Sequence, residues 1–228
     1  MLRPNQKAHF LCQDCGYSSP KWNGRCPSCH SWGTLVEFKE GNSSSTRQYK
    51  IPVNTESLLS TLKEQPDSTG ARISSGLSEF DRILGGGLVA GSVILLAGDP
   101  GIGKSTILLQ VADSLTKQQQ KVLYLSGEES GTQVRLRGDR LGVDTSRIFF
   151  LSETDTETIG AHLSALSPDV LIIDSIQTLT SSSSNSIAGS VTQIRECAQI
   201  FLNWAKGSGK PTFFTGHVTK DGSIAGPK

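Results

Sequence analysis

Four cysteines crowd one short segment of the chain, Cys12-Gln13-Asp14-Cys15 and, ten residues further on, Cys26-Pro27-Ser28-Cys29. Two residues between cysteines let a tight turn present both sulfurs to one ion, and two such turns complete a tetrahedral Zn²⁺ site. Each pair alone could be a redox motif, but two pairs this close favour zinc. Because all four ligands come from protein, the spacing predicts a structural ion with no open position for catalysis. Gly16 and Gly24 are expected at the turns, where the backbone must curl around the thiolates. Lys21, Trp22, Arg25 and Trp32 lie in the same segment. Two readings of them stand side by side: a surface that stacks on a single nucleic-acid strand, or indoles covering a very small core.

A second pattern carries different chemistry. Gly98-Asp99-Pro100-Gly101-Ile102-Gly103-Lys104-Ser105 fits the phosphate-loop pattern GxxxxGK[ST] without a mismatch. Its glycines allow backbone N–H groups to face phosphates at a helix N-terminus. Lys104 is expected at the β- and γ-phosphates of ATP or ADP, the Ser105 hydroxyl on Mg²⁺, and Thr106 as a secondary contact. A further acid should meet that Mg²⁺ from a neighbouring strand end, and Asp174 closes the apolar run Val170-Leu171-Ile172-Ile173. Hydrolysis also needs a group to activate water. Gly127-Glu128-Glu129-Ser130 follows another apolar run, with Glu128 as the candidate base and Glu129 as its helper. A solvated acidic turn capping the next helix is the other reading of that segment.

Elements of defined type must hold these groups. From about residue 71 onward, apolar runs at Val93–Ala97, Val122–Ser126, Ile148–Leu151, Val170–Asp174 and Thr212–Gly216 read as strands buried on both faces. Between them, Leu108, Val111, Ala112 and Leu115 fall on one helical face. Val191, Ile194, Ala198, Phe201, Leu202 and Ala205 fall on another, with Cys197 among them as a buried, inert thiol. Alternating strands and helices predict an α/β parallel sheet flanked by helices, with ligands beyond the carboxyl ends of the strands. The chain is thus expected to contain a zinc ribbon over residues 1–40 and a polar linker over 41–70, with one short helix near 55–63. A phosphate-loop core is expected over 71–228.

Composition narrows the partners. The 228 residues carry a net charge of +1, with 36% hydrophobic and 19% charged side chains. Bulk electrostatics therefore cannot hold the protein on nucleic acid, although a local basic groove can. The zinc segment, with five Lys/Arg and three Asp/Glu, falls to about zero once four thiolates and Zn²⁺ are included. No run approaches the about 18 apolar residues of a membrane span, and no apolar signal core opens the chain, so no membrane partner and a cytoplasmic location are expected.

Several runs together resemble a known family. Gly76-Leu77, Phe80-Asp81, Leu84-Gly85-Gly86-Gly87-Leu88 and Gly91-Ser92, leading into Gly98–Ser105, are similar to the opening of the RecA-like ATPase core shared with the KaiC and DnaB-helicase branches. Lys21-Trp22-Asn23-Gly24-Arg25-Cys26-Pro27, Leu125-Ser126-Gly127-Glu128-Glu129-Ser130, Gly216-His217-Val218-Thr219-Lys220 and Ile224-Ala225-Gly226-Pro227-Lys228 resemble the bacterial RadA (Sms) family of DNA repair proteins. The resemblance implies a DNA-dependent ATPase acting on single-stranded and branched DNA in recombinational repair. It also implies branch migration by a homo-oligomeric ring, a hexamer, working with a recombinase. Carried over, Lys104 and Ser105 take the phosphate and Mg²⁺ roles, Asp174 the Mg²⁺-side acid, Glu128 the base and His217 a polar γ-phosphate sensor, although His217 read on its own is equally a satisfied histidine at a strand end. Leu179–Ser190 and Lys220–Lys228 match the DNA-facing loops, while the serine run Ser181–Ser184 also reads as a plain solvated loop.

The family pattern continues past Lys228 with a Lys-Asn-Arg-Phe-Gly motif and a domain resembling the Lon protease. The chain is therefore expected to be an N-terminal portion whose RecA-like sheet is incomplete, has an exposed edge and turns over slowly. The alternative is a nucleotide-dependent module that binds DNA or a recombinase without productive turnover.

Overall fold

The structure, a computed structural model, describes residues 9–13, 16–38, 72–181 and 190–217. Cys15, the expected linker 41–70 with its helix, Ser182–Ser184 and the rest of the loop to residue 189, and the segment from Lys220 to Lys228 lie outside the described residues. The chain divides into two compact units, Met1–Gly70 and Ala71–Lys228.

Among its described residues the first unit holds three short strands, β1 (His9–Cys12), β2 (Ser18–Ser19) and β3 (Leu35–Phe38), in an antiparallel sheet ordered β2-β1-β3. Its buried cluster is minimal: Cys12, Cys26 and Leu35, with Phe10 packed beside them. So little apolar burial cannot offset chain entropy in so short a segment. A metal supplies the difference in domains of this kind.

The second unit is a five-stranded parallel sheet. Its strands are β4 (Val93–Ala97), β5 (Val122–Ser126), β6 (Phe149–Leu151), β7 (Val170–Asp174) and β8 (Thr212–Gly216), ordered β4-β8-β7-β5-β6. Four strands coincide with the apolar runs, and β6 begins one residue later than its run, after a 3₁₀ turn at Thr145–Arg147 that places Ile148 outside the ladder.

Successive residues of each strand face opposite sides, and the core follows that alternation. A short helix, α1 (Ser78–Ile83), precedes β4; Val122, Tyr124, Val170, Ile172 and Phe213 pack beneath α2 (Lys104–Lys117) and α3 (Gly131–Leu141). Leu123, Leu125, Leu171, Ile173 and Phe214 pack against α4 (Thr156–Leu166) and α5 (Val191–Ser208) on the other side. Burying each such Leu, Ile or Phe contributes about 1.5–3 kcal/mol. Both expected helical faces are used: Leu108, Val111, Ala112 and Leu115 are fully buried on α2, and Ile194, Phe201 and Ala205 are buried on α5. At the sheet edge, β4 pairs with β8 alone among the described strands and leaves Leu95 45% exposed. No helix among the described residues is long and apolar enough to cross a membrane.

Cys197 sits on the buried face of α5 with no exposed surface, and burial pushes its thiol from 9.0 up to about 11, with Glu196 adding to the effect. Its pKa is higher folded than unfolded, so only the unfolded chain ionises as pH rises through about 9. Stability gained from keeping this thiol neutral is therefore present below that pH and declines from about 9 to about 11. In urea denaturation the alkaline loss of midpoint should be smaller in Cys197→Ala than in the parent chain.

Candidate functional site

The long helices differ at their N-termini in a way that locates the site. Ser130 caps α3 in a reciprocal capping box with Gln133, Asp155 caps α4, and Ser190 caps α5. Helix α2 instead begins after Gly103, with no side-chain cap and no acid in its first turn. Its leading N–H groups and its helix dipole are thus left for an anion. Gly101 and Gly103 adopt φ of 78° and 101°, which an L side chain resists, and such left-handed positions let a loop curl around an anion.

Every strand end bordering that loop contributes a polar group. The Gly98 N–H donates to the Gly216 carbonyl at 3.2 Å, tying the loop to the end of β8. Lys104, nearly buried, donates from Nζ to the carbonyls of Gly98 (2.9 Å) and Asp99 (2.8 Å). His217, just past β8, places Nδ1 3.5 Å from that Nζ and Nε2 3.7 Å from Glu128 Oε1. An ammonium only donates, so a neutral ring accepting at Nδ1 carries its proton on Nε2, facing the carboxylate. Glu128 Oε1 also accepts a hydrogen bond from the Ser175 hydroxyl, immediately after β7.

Gly127 makes this approach possible. A Cβ there would lie 2.3 Å from Thr178 Oγ1, so any side chain would push the glutamate turn off the 3₁₀ turn Ile176–Thr178. The same turn sends Glu129 the other way: its N–H donates to Ser126 Oγ at 3.0 Å, and its carboxylate pairs with Arg137 on α3. Two adjacent acids therefore have two environments, Glu128 toward the phosphate loop and Glu129 toward α3.

Asp174 ends β7 as a buried acid. Oδ2 accepts from the Tyr124 hydroxyl at 2.7 Å, and Oδ1 accepts from Thr215 Oγ1 at 2.6 Å. Burial, together with the adjacent Asp174 charge, holds the Tyr124 phenol well above its ordinary value, so the phenol remains a donor. Each carboxylate oxygen retains acceptor capacity beyond these bonds, the donor set a hydrated hard cation requires. Ser105 and Thr106 are partly buried in the first turn of α2. Asp99, Pro100 and Ile102 form the exposed outer rim of the loop.

Sequence reasoning did not find Tyr124, Thr215, Ser175 or Arg137. Tyr124 carried one signal: a tyrosine inside a fully apolar strand needs a partner for its hydroxyl.

In the ribbon, the Sγ atoms of Cys12, Cys26 and Cys29 all lie within 4.8 Å of one another, and Cys12 and Cys29 are 3.6 Å apart. That separation is far beyond an S–S bond, and convergent thiols fit a metal rather than a disulfide. The two turns repeat one geometry. Gly16 N–H donates to the Cys12 carbonyl and His30 N–H to the Cys26 carbonyl, both at 2.9 Å, and both residues have positive φ, 72° and 62°. The second left-handed position is therefore His30, not Gly24 as expected. Gly24 accepts the Gly33 N–H at 2.8 Å and lies beside the indoles of Trp22 and Trp32. Nor do those indoles cover the core, since both are exposed.

Comparison with known proteins agrees with both units. Residues 59–223 match the model of a family described as AAA domain, and residues 10–37 match that of a rubredoxin metal binding domain. The DNA repair protein RadA of Bacillus subtilis (strain 168) is 46% identical over 224 residues, 97% of this chain and 49% of that protein. The DNA repair protein RadA of Chlamydia muridarum is 46% identical over 222 residues, 97% of this chain and 48% of that protein. That of Listeria monocytogenes is 42% identical over 228 residues, 100% of this chain and 50% of that protein. The chain spans about half the length of the curated relatives it matches.

Two outcomes test these sites. Cys26→Ser should release zinc, measured by atomic absorption, and unfold the ribbon, whereas unchanged metal content would contradict the assignment. Thr215→Val should leave Asp174 Oδ1 short of a donor and cost about 1–3 kcal/mol in urea denaturation.

Proposed function

The chain belongs to the AAA domain family, and from that premise we propose that it is a DNA-dependent ATPase. It acts on single-stranded and branched DNA in recombinational repair, and it moves the branch points of recombination intermediates. The observation that carries this reading is the meeting of Lys104, His217 and Glu128 beside the uncapped N-terminus of α2. Similarity to proteins named for DNA repair supplies the biological setting.

Each residue has a role in this proposal. The N–H groups of Gly101 and Gly103 and the leading amides of α2 bind the phosphates of ATP or ADP, and Lys104 exchanges its bonds to the loop carbonyls for the β- and γ-phosphate oxygens. Ser105 and Asp174 hold Mg²⁺, which when bound neutralises charge on the transferring phosphoryl group. Glu128, oriented by Ser175, accepts the proton of the attacking water. Glu129 supports it through Arg137, keeping the second carboxylate away from the phosphates. His217, between Lys104 and Glu128, senses the γ-phosphate because its two nitrogens face the groups that change partner on hydrolysis. The ribbon holds structural Zn²⁺. In the proposed whole protein the cores assemble as a homo-oligomeric ring, a hexamer, in the cytoplasm alongside a recombinase.

Lys104→Ala should abolish nucleotide binding in equilibrium titration. Glu128→Gln should still bind ATP but hydrolyse it about 10²–10⁴-fold more slowly in the presence of single-stranded DNA. If the parent chain binds nucleotide yet hydrolyses no faster than Glu128→Gln, the protein is a nucleotide-dependent binding module rather than an ATPase.

A further inference from the structure

Trp22 is 60% exposed and Trp32 75% exposed, in a ribbon whose buried cluster among the described residues includes just one aliphatic side chain, Leu35. A module short of apolar burial would gain most by folding its indoles inward, so their exposure points to a use outside the fold. They form one surface, because the outer ring edges of both come within 4.0 Å of the place where a side chain at Gly24 would begin. The rings are also held in place. Trp22 donates its Nε1–H to the Leu35 carbonyl at 3.1 Å, which occupies its polar edge and leaves ring surface to the outside. The Arg25 guanidinium stands 5.9 Å from the Trp32 ring centroid, fixed by a 2.9 Å bond from its Nε to the His30 carbonyl.

We propose that Trp22 and Trp32, with Lys21 and Arg25 beside them, form a stacking platform for the unpaired bases of a single nucleic-acid strand. The placement of the cations favours this occupant although the zinc-loaded segment is near neutral as a whole. Lys21 precedes Trp22 in sequence, Arg25 stands over Trp32, and Glu37 is the one carboxylate among the described ribbon residues. An Arg–indole pair offers both a π-face and a phosphate-directed cation, the combination that sequence-tolerant single-strand binding uses. A duplex hides its base faces, so the platform discriminates against it. The inference takes only the class of partner from the function proposed above; its grounds are the ribbon's own surface.

The test uses the zinc-loaded 228-residue chain carrying Trp204→Phe, so that emission comes from the two ribbon indoles, titrated with oligothymidine in the absence of nucleotide. Saturable quenching is expected, and a duplex of the same length should quench far less. Trp32→Ala, with unchanged zinc content, should weaken binding of a labelled oligothymidine about ten- to a hundredfold. Lys21→Ala should lower the slope of log affinity against log salt by about 0.7. Absence of quenching, or unchanged affinity in Trp32→Ala with zinc retained, overturns the proposal and leaves the surface to a protein partner. Because nucleotide is absent, a chain that fails to hydrolyse ATP can still pass this test, and an active ATPase can fail it.

Discussion

The Asp174 carboxylate, buried at the carboxyl end of the central strand, takes one hydrogen bond from Tyr124 on β5 and another from Thr215 on β8. A buried polar group is tolerated only when such bonds satisfy it, so the three strands are held together at this point. All three residues lie on the face of the sheet that α2 covers, since each shares its strand alternation with residues packed beneath that helix. The rest of the site hangs from these ends. Ser175, directly after Asp174, donates to Glu128, directly after β5 and Gly127, while His217 follows β8. A change at the centre of the lock would move the proposed base, the sensor and the metal-side acid together.

What the sequence disclosed divides along the same line. The phosphate loop, both cysteine pairs and five apolar runs are local patterns, readable without neighbours because each is a stretch of backbone with its own chemistry. Strand order is not local: β4 lies beside β8 although more than a hundred residues separate them. Tyr124 and Thr215 became part of the site only through that order, as did the bridge from Lys104 through His217 to Glu128. Arg137 belongs to no local pattern, and its pairing with Glu129 depends on how the turn at Gly127 divides the two acids. In the ribbon the error was of another kind. Glycine was expected at the turn, but the left-handed position fell to His30, so Gly24 was available to sit beside two exposed indoles.

The two units rest on different physics. The sheet has two apolar layers large enough to offset its ordering entropy, and it can keep polar groups at one edge at small relative cost. The ribbon has almost no core, and three convergent thiols stand where a core would be, so metal binding and folding are one event there. Such a module can spend its aromatic side chains on a surface, whereas Phe201, Phe213 and Tyr124 are buried in the core of the second unit.

The rate of ATP hydrolysis by this chain, with and without single-stranded DNA, tests the account most directly. The proposed function, with Lys104, Glu128, Asp174 and His217 as its site, predicts hydrolysis that accelerates when the DNA is added. A chain that binds ATP but shows a rate indifferent to DNA would contradict it.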